Sequence, residues 1–393
     1  MEMKSMRSLM LSSVLLAGCA CVSAQTPTPP PAEEVTFDSA RAFEHLKQIV
    51  SIGPRPASSP GLQKTRDYIK AQLTAIGLTP NEQAFEASTP IGPVKMVNIS
   101  ATIPAAGAGK GRLIFAGHYD TKLFKEFTFV GANDGGSSTA FLLELARVLK
   151  DRKNAVPIEI LFLDGEEAFG EWDTGNTFGS RHYVAAAQKA GTLKDIKGLI
   201  LVDMIGDADL IVKRESNSTP WLTDAIWSAA RELSRPEFVS ESTPIEDDHL
   251  PFLAAGVAAA DVIDLDYPDW HQAGDTLDKV SPKSLQAVGD VLLGKVVRRG
   301  LSPKVLDFGK VEDATKGTVR QTITLQKGLS SELAKEISKA VRDELPKLKT
   351  QIQGDAVRVT GRAKDELQSA MRVLRQAEED RKWTVPLQFT NYR

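Results

Sequence analysis

Five short stretches carry side chains able to do metal-assisted chemistry. GHYDT brings His118 and Asp120, GANDGGSS brings Asp134, FLDGEE brings Glu166 and Glu167, LVDMIGD brings Asp203, and DYPDWH brings His271. Imidazole with several carboxylates and no thiolate is the donor set of a zinc or mixed hydrolytic metal site. Adjacent Glu166 and Glu167 repel each other, and burying either unpaired is costly. A bound cation resolves this by taking one as a ligand while its neighbour moves protons.

The surrounding pattern explains how these residues meet. VKMVNISATI, GRLIFAGHYDT, PIEILFLDG, IKGLILVDMIG and AADVIDLD read as strands, alternating with amphipathic helices such as SSTAFLLELARVLK. Alternation of this kind predicts an α/β fold with a mostly parallel central sheet flanked by helices over residues 36–294. Ligands of such sheets sit at the carboxyl ends of the strands, where these acids and histidines fall. His45 and His182 lie away from strand ends and are left out.

Residues 295–393 follow a different order. A strand (TVRQTITLQ), a helix, two strands, a helix and a strand (VPLQFTNY) make a small α+β ferredoxin-like βαββαβ unit. Charge also divides there. Residues 301–393 carry 18 Lys+Arg against 13 Asp+Glu, in a chain whose net charge is −3.

Residues 1–24 read as a signal peptide, with Lys4 and Arg7 before a short apolar run. Leu16-Ala17-Gly18-Cys19 resembles a bacterial lipobox, which implies cleavage before Cys19 and lipidation of its thiol. Cleavage after Ala24 is the alternative. The chain is expected to be exported, as a periplasmic or outer-membrane-anchored lipoprotein touching the membrane only through its lipid. Residues 25–35 read as a Pro-rich linker. Both cysteines precede residue 22, so beyond it no disulfide, thiol nucleophile or Cys-ligated metal is available.

Taken together, the motifs of residues 38–294 resemble the zinc aminopeptidase superfamily and, within it, the glutaminyl-peptide cyclotransferases. The cyclase resemblance implies one zinc on Asp134, Glu167 and His271, with Glu166 as general base and Asp203 in a hydrogen-bond network. The aminopeptidase resemblance adds a second ion on His118 and Asp203. EEAFGEW, IEDDHLPFLAAGV and DWH favour the cyclase. They place Asp247 over the metal and offer Trp172, Trp270 and Ile245 to an N-terminal glutamine. One departure is Asp261, which stands where animal cyclases carry a histidine. A two-zinc aminopeptidase and a non-catalytic exported binding protein remain alternatives. The tail, above all QIQGDAVRVTGRAKDELQ, is similar to the C-terminal half of the YajQ family, which implies a nucleotide or nucleic acid as partner.

Overall fold

The computed structural model describes residues 35–106, 111–293, 306–313, 319–325, 330–354, 356–361 and 364–380. The expected signal peptide, Cys19 and nearly all of the Pro-rich linker lie outside these residues.

The chain begins with helices α1 (Ser39–Ile52) and α2 (Pro60–Ala75). Asp38 caps α1, its carboxylate accepting from the Ala40 and Arg41 N–H groups, and Ser59 caps α2 ahead of a proline in its first turn. Strands β1 (Asn81–Thr89) and β2 (Gly92–Ile103) form an antiparallel hairpin. Then come β3 (Arg112–His118), α3 (Gly136–Lys150), β4 (Ile158–Leu163), α4 (Phe178–Lys189) and β5 (Ile196–Asp203). A small parallel pair, β6 (Val212–Glu215) and β7 (Phe238–Thr243), flanks α5 (Pro220–Glu232). The unit closes with α6 (His249–Ala254), β8 (Ala259–Ile263) and α7 (Pro282–Val291).

The six-stranded sheet runs β1-β2-β4-β3-β5-β8. β4, β3, β5 and β8 are mutually parallel, as the sequence predicts, and the β1–β2 hairpin extends the β4 edge antiparallel. Every residue of β4, IEILFL, is buried, which fits a parallel strand covered on both faces. α3 is buried along almost its whole length, with only Arg147 and Lys150 reaching outward. That explains its apolar run of Phe141, Leu142, Leu143 and Leu145, which joins the main core with Phe115, Phe162 and Val202.

In the C-terminal part, α8 (Ser331–Glu344), β11 (Lys349–Gln353), β12 (Ala356–Thr360) and α9 (Lys364–Asp380) follow the expected order. Leu333, Ile337, Val341, Leu348 and Leu374 form their core. The described residues depart from the expected unit at one point. Strand β10 (Val319–Leu325) pairs antiparallel with an unexpected strand β9 (Leu306–Asp313), while β11 pairs with β12. The expected last strand, VPLQFTNY, lies outside the described residues.

Candidate metal and catalytic site

The register of the parallel strands lines up their ends. His118 of β3 sits opposite Leu163 of β4, and Asp203 of β5 opposite Ile263 of β8. The loops leaving these ends carry the remaining groups. Asp134 comes from a turn in which Gly131 and Gly135 both take positive φ, +50° and +71°. A Cβ on Gly135 would lie 2.5 Å from the Asp120 carbonyl and 3.0 Å from His118 Cε1, so only glycine fits. Arg55, fully buried, clamps this turn to β3. It donates to the carbonyls of Val130 (2.6 Å), Gly131 (2.9 Å) and Tyr119 (3.4 Å). Burial pushes its pKa down to about 10, which leaves it charged at neutral pH.

Asp134 stands at the centre. Its Oδ1 lies 3.2 Å from His118 Nε2, and that nitrogen is 3.0 Å from Asp203 Oδ1. Its Oδ2 lies 3.4 Å from His271 Nε2, and that nitrogen is 3.3 Å from Glu167 Oε1. Two donor groups result, His118–Asp134–Asp203 and Asp134–Glu167–His271, each with its atoms within 4.8 Å of one another. Asp134 Oδ2 and Glu167 Oε2 are buried without a hydrogen-bond partner. Buried carboxylate oxygens left open beside two imidazoles fit a bound divalent cation.

Further side chains hold this arrangement, of which Asp275 and Lys122 were not foreseen from the sequence. The Asp275 carboxylate accepts from the backbone N–H groups of Asn133 (2.8 Å) and Asp134 (3.1 Å) and from the Tyr267 hydroxyl (2.9 Å). Asp120 accepts from the N–H groups of Glu166 (3.2 Å) and Glu167 (3.3 Å), so one carboxylate fixes the glutamate pair. Lys122 Nζ lies 3.7 Å from Glu167 Oε2 and supplies positive charge beside the pair. His271 itself has φ +54°, a left-handed conformation that a non-glycine residue adopts at a cost of about 1 kcal/mol.

The electrostatics follow from crowding. Burial opposes protonation of His271, yet the Asp134 and Glu167 carboxylates beside its Nε2 raise its pKa to about 9. Burial likewise opposes a charge on His118, and the Asp203 and Glu166 carboxylates outweigh it and raise its pKa. A divalent cation would displace these protons, because metal binds the neutral imidazole. Glu166 is pushed well up by burial, with Glu167, Asp247 and Asp248 adding to the shift against His118. Asp247 is pushed up by burial and then by Asp203 and Asp248.

The structure thus brings together His118, Asp134, Glu166, Glu167, Asp203, Asp247 and His271. Trp270 is 42 % exposed and stacks on the His271 ring at 4.6 Å, while Phe124 and Phe129 meet the same ring edge-on. Trp172 donates its indole N–H to Glu246 Oε2 at 3.0 Å, which ties its loop to the segment carrying Asp247. Ile245 differs from the expectation of a substrate contact. Its side chain packs in a small core with Met204, Ile263 and Tyr267, and its N–H and C=O bind Glu215 and Asn217. Asp261 is fully buried, and His249 Nδ1 lies 3.6 Å from it. An imidazole therefore does reach this place, from the start of α6 instead of from β8. The histidines left out do belong elsewhere: His45 bonds the Tyr68 hydroxyl at 2.7 Å and His182 stacks on Phe85.

Fold and site together define a metallopeptidase-type α/β protein, and the comparisons agree. The chain belongs to Peptidase family M28, whose model matches residues 98–296. Its residues 272–393 match the nucleotide-binding protein YajQ-like family. Among solved structures, a glutaminyl cyclase from an Acidobacteriales bacterium is 37 % identical with a TM-score of 0.65, covering 70 % of this chain and 100 % of that one. The Fimbriiglobus ruber glutaminyl cyclase is 30 % identical with a TM-score of 0.62, covering 69 % and 98 %. A leucine aminopeptidase precursor from Bacteroides thetaiotaomicron is 26 % identical with a TM-score of 0.62, covering 67 % and 98 %. A nucleotide-binding protein of Chloroflexus aggregans is 52 % identical over 113 residues, 29 % of this chain and 67 % of that protein. The chain thus spans about two thirds of the length of that curated relative.

Proposed function

We propose that residues 36–294 form a glutaminyl-peptide cyclotransferase, converting an N-terminal glutamine to pyroglutamate with release of ammonia. The observation that carries this reading is Asp247, a buried carboxyl group in the same acidic cluster as Glu166 and Asp203. Cyclisation needs protons moved from the α-amine to the departing nitrogen, and it uses no external water. Two carboxyl groups held above the usual carboxylate range by burial and by neighbouring acids suit that task.

Asp134, Glu167 and His271 would hold one zinc, which supplies Lewis-acid polarisation of the γ-carbonyl when bound. Glu166 takes a proton from the attacking α-amine and returns it to the leaving nitrogen. Asp247 accepts a hydrogen bond from that amine and holds it toward the carbonyl carbon. Asp203 keeps His118 oriented through their 3.0 Å contact. Trp270, Phe124 and Phe129 wall the pocket beside His271 and exclude water. Asp247→Asn is expected to keep zinc and the fold while losing turnover of a glutamine-initiated peptide by at least tenfold, and unchanged turnover would reject the role of Asp247.

The second donor group, His118–Asp134–Asp203, favours one other reading, a two-zinc aminopeptidase. Metal analysis of the purified chain separates the two, at one ion per chain against two. For the flanking segments we propose export with lipidation at Cys19, tested by mass analysis of the mature N-terminus. The tail is proposed to bind a nucleotide or nucleic acid, tested by titrating the full chain with each.

A further inference from the structure

A second cavity, of about 620 Å³, opens beside the β1–β2 hairpin. It lies at the same end of the sheet as the metal ligands. β2 runs antiparallel to β4, with Ile99 opposite Phe162, so Val97 and Met96 lie level with the turn that leaves β4. The Val97 N–H donates to Asp164 Oδ2 at 2.7 Å, and a Cβ on Gly165 would come within 2.4 Å of Met96 Sδ. The cavity wall therefore abuts the residues directly before Glu166.

Its lining includes Arg66, Lys95, the capped N-terminus of α2 and one carboxylate, Glu86. Arg66 is only 9 % exposed, and its Nε is buried with no hydrogen-bond partner. No ion pair or hydrogen bond joins its guanidinium to any described residue. Asp164 feels the Arg66 charge, but its Oδ2 accepts from the Val97 N–H and the Tyr119 hydroxyl, and its buried Oδ1 takes no hydrogen bond from Arg66. Lys95 and Glu86 face each other across the hairpin register without forming an ion pair among the described contacts. A buried guanidinium is costly without an acceptor, and its planar fork matches a carboxylate or phosphate. The α2 N-terminus adds a second source of positive potential.

We propose that this cavity is an oxyanion-binding site, with Arg66 as its anchor and Lys95 at its rim. The anion would come either from an acidic group on a peptide whose N-terminus occupies the catalytic site or from free inorganic phosphate. The peptide source rests on the cyclase reading, whereas anion binding itself does not.

The test is calorimetric titration of the zinc-loaded full chain with inorganic phosphate and with N-acetyl-glutamate amide. Binding of either that weakens roughly tenfold or more in Arg66→Gln, and by a smaller factor in Lys95→Gln, supports the site. Lys95 is exposed, so its variant is informative even if Arg66→Gln fails to fold. Steady-state assays then identify the source. A KM that rises in Lys95→Gln for glutamine-initiated peptides bearing a downstream glutamate, but not for neutral ones, assigns the anion to the peptide. Equal KM values with weakened phosphate binding assign it to the free ion. No binding of either anion to the wild-type chain, or affinity unchanged in every folded variant, overturns the proposal. If no peptide is turned over at all, the cyclase reading fails while the titration still stands.

Discussion

Asp275→Asn tests how the metal ligands are held. Asp275 hydrogen-bonds no candidate donor side chain among the described residues, yet its two oxygens collect the N–H groups of Asn133 and Asp134 and the Tyr267 hydroxyl, at 2.8, 3.1 and 2.9 Å. The substitution keeps the shape and turns one acceptor oxygen into an NH2 group. That group faces a backbone donor, so one buried N–H loses its partner at a cost of about 1–3 kcal/mol. The cost falls on the turn carrying Asp134, the residue both donor groups share. Burial and then the Asp134 charge push Asp275 up to about 7, and a cation on Asp134 would offset the second of these. Zinc would therefore stabilise the ionised Asp275, and the variant should lose that coupling. We expect zinc affinity, measured by chelator competition, to fall about 10–100-fold, the range typical of groups that orient metal ligands. Tyr267→Phe removes only one of three donors and should fall by less. A folded Asp275→Asn chain that binds zinc as tightly as wild type would refute this reasoning.

Three further outcomes follow from the same geometry. Glu166→Gln should retain zinc while kcat drops about 10²–10⁴-fold, and near-normal turnover would remove Glu166 from the chemistry. Gly135→Ala forces a Cβ to 2.5 Å from the Asp120 carbonyl at φ +71°, and should destabilise the chain by at least about 1–3 kcal/mol in urea unfolding, with loss of zinc. His45 is held neutral by burial and by Arg41, its pKa lowered from 6.5 to about 4. The unfolded chain thus binds the proton first, so this stability is fully present above pH 6.5 and lost as pH falls toward 4. Between pH 7 and 5 the wild type should lose roughly 1–2 kcal/mol more than His45→Gln, and equal losses would contradict the assignment.

That His118, Asp134, Glu167, Asp203 and His271 would meet was legible because each falls at or after the end of a strand marked by an apolar run, and the ends of a parallel sheet share one crevice. Which of them would hold a metal came from the resemblance, not from the spacing. Asp275 and Arg55 act through backbone groups far away in sequence, and nothing in residue type or spacing marks such contacts; Asp120 was visible as a candidate acid, but its hold on the Glu166 and Glu167 N–H groups was not. Lys122 lies four residues beyond the end of β3, and that position was its one available signal. His249 reaches Asp261 through the start of α6, a connection set by tertiary packing. Ile245 was offered as a substrate contact within the cyclase-like stretch IEDDHLPFLAAGV, and its side chain packs inward against Met204, Ile263 and Tyr267. β1 was missed because its residues are mostly exposed and its pairing with β2 decides its conformation. β9 was missed for the related reason that only its pairing with β10 identifies it as a strand.

The most direct measurement is mass spectrometry of a glutamine-initiated peptide incubated with the zinc-loaded full chain. Loss of one ammonia from an otherwise intact peptide is the expected result. Release of the first residue, or a peptide that leaves unaltered, would contradict the cyclotransferase assignment.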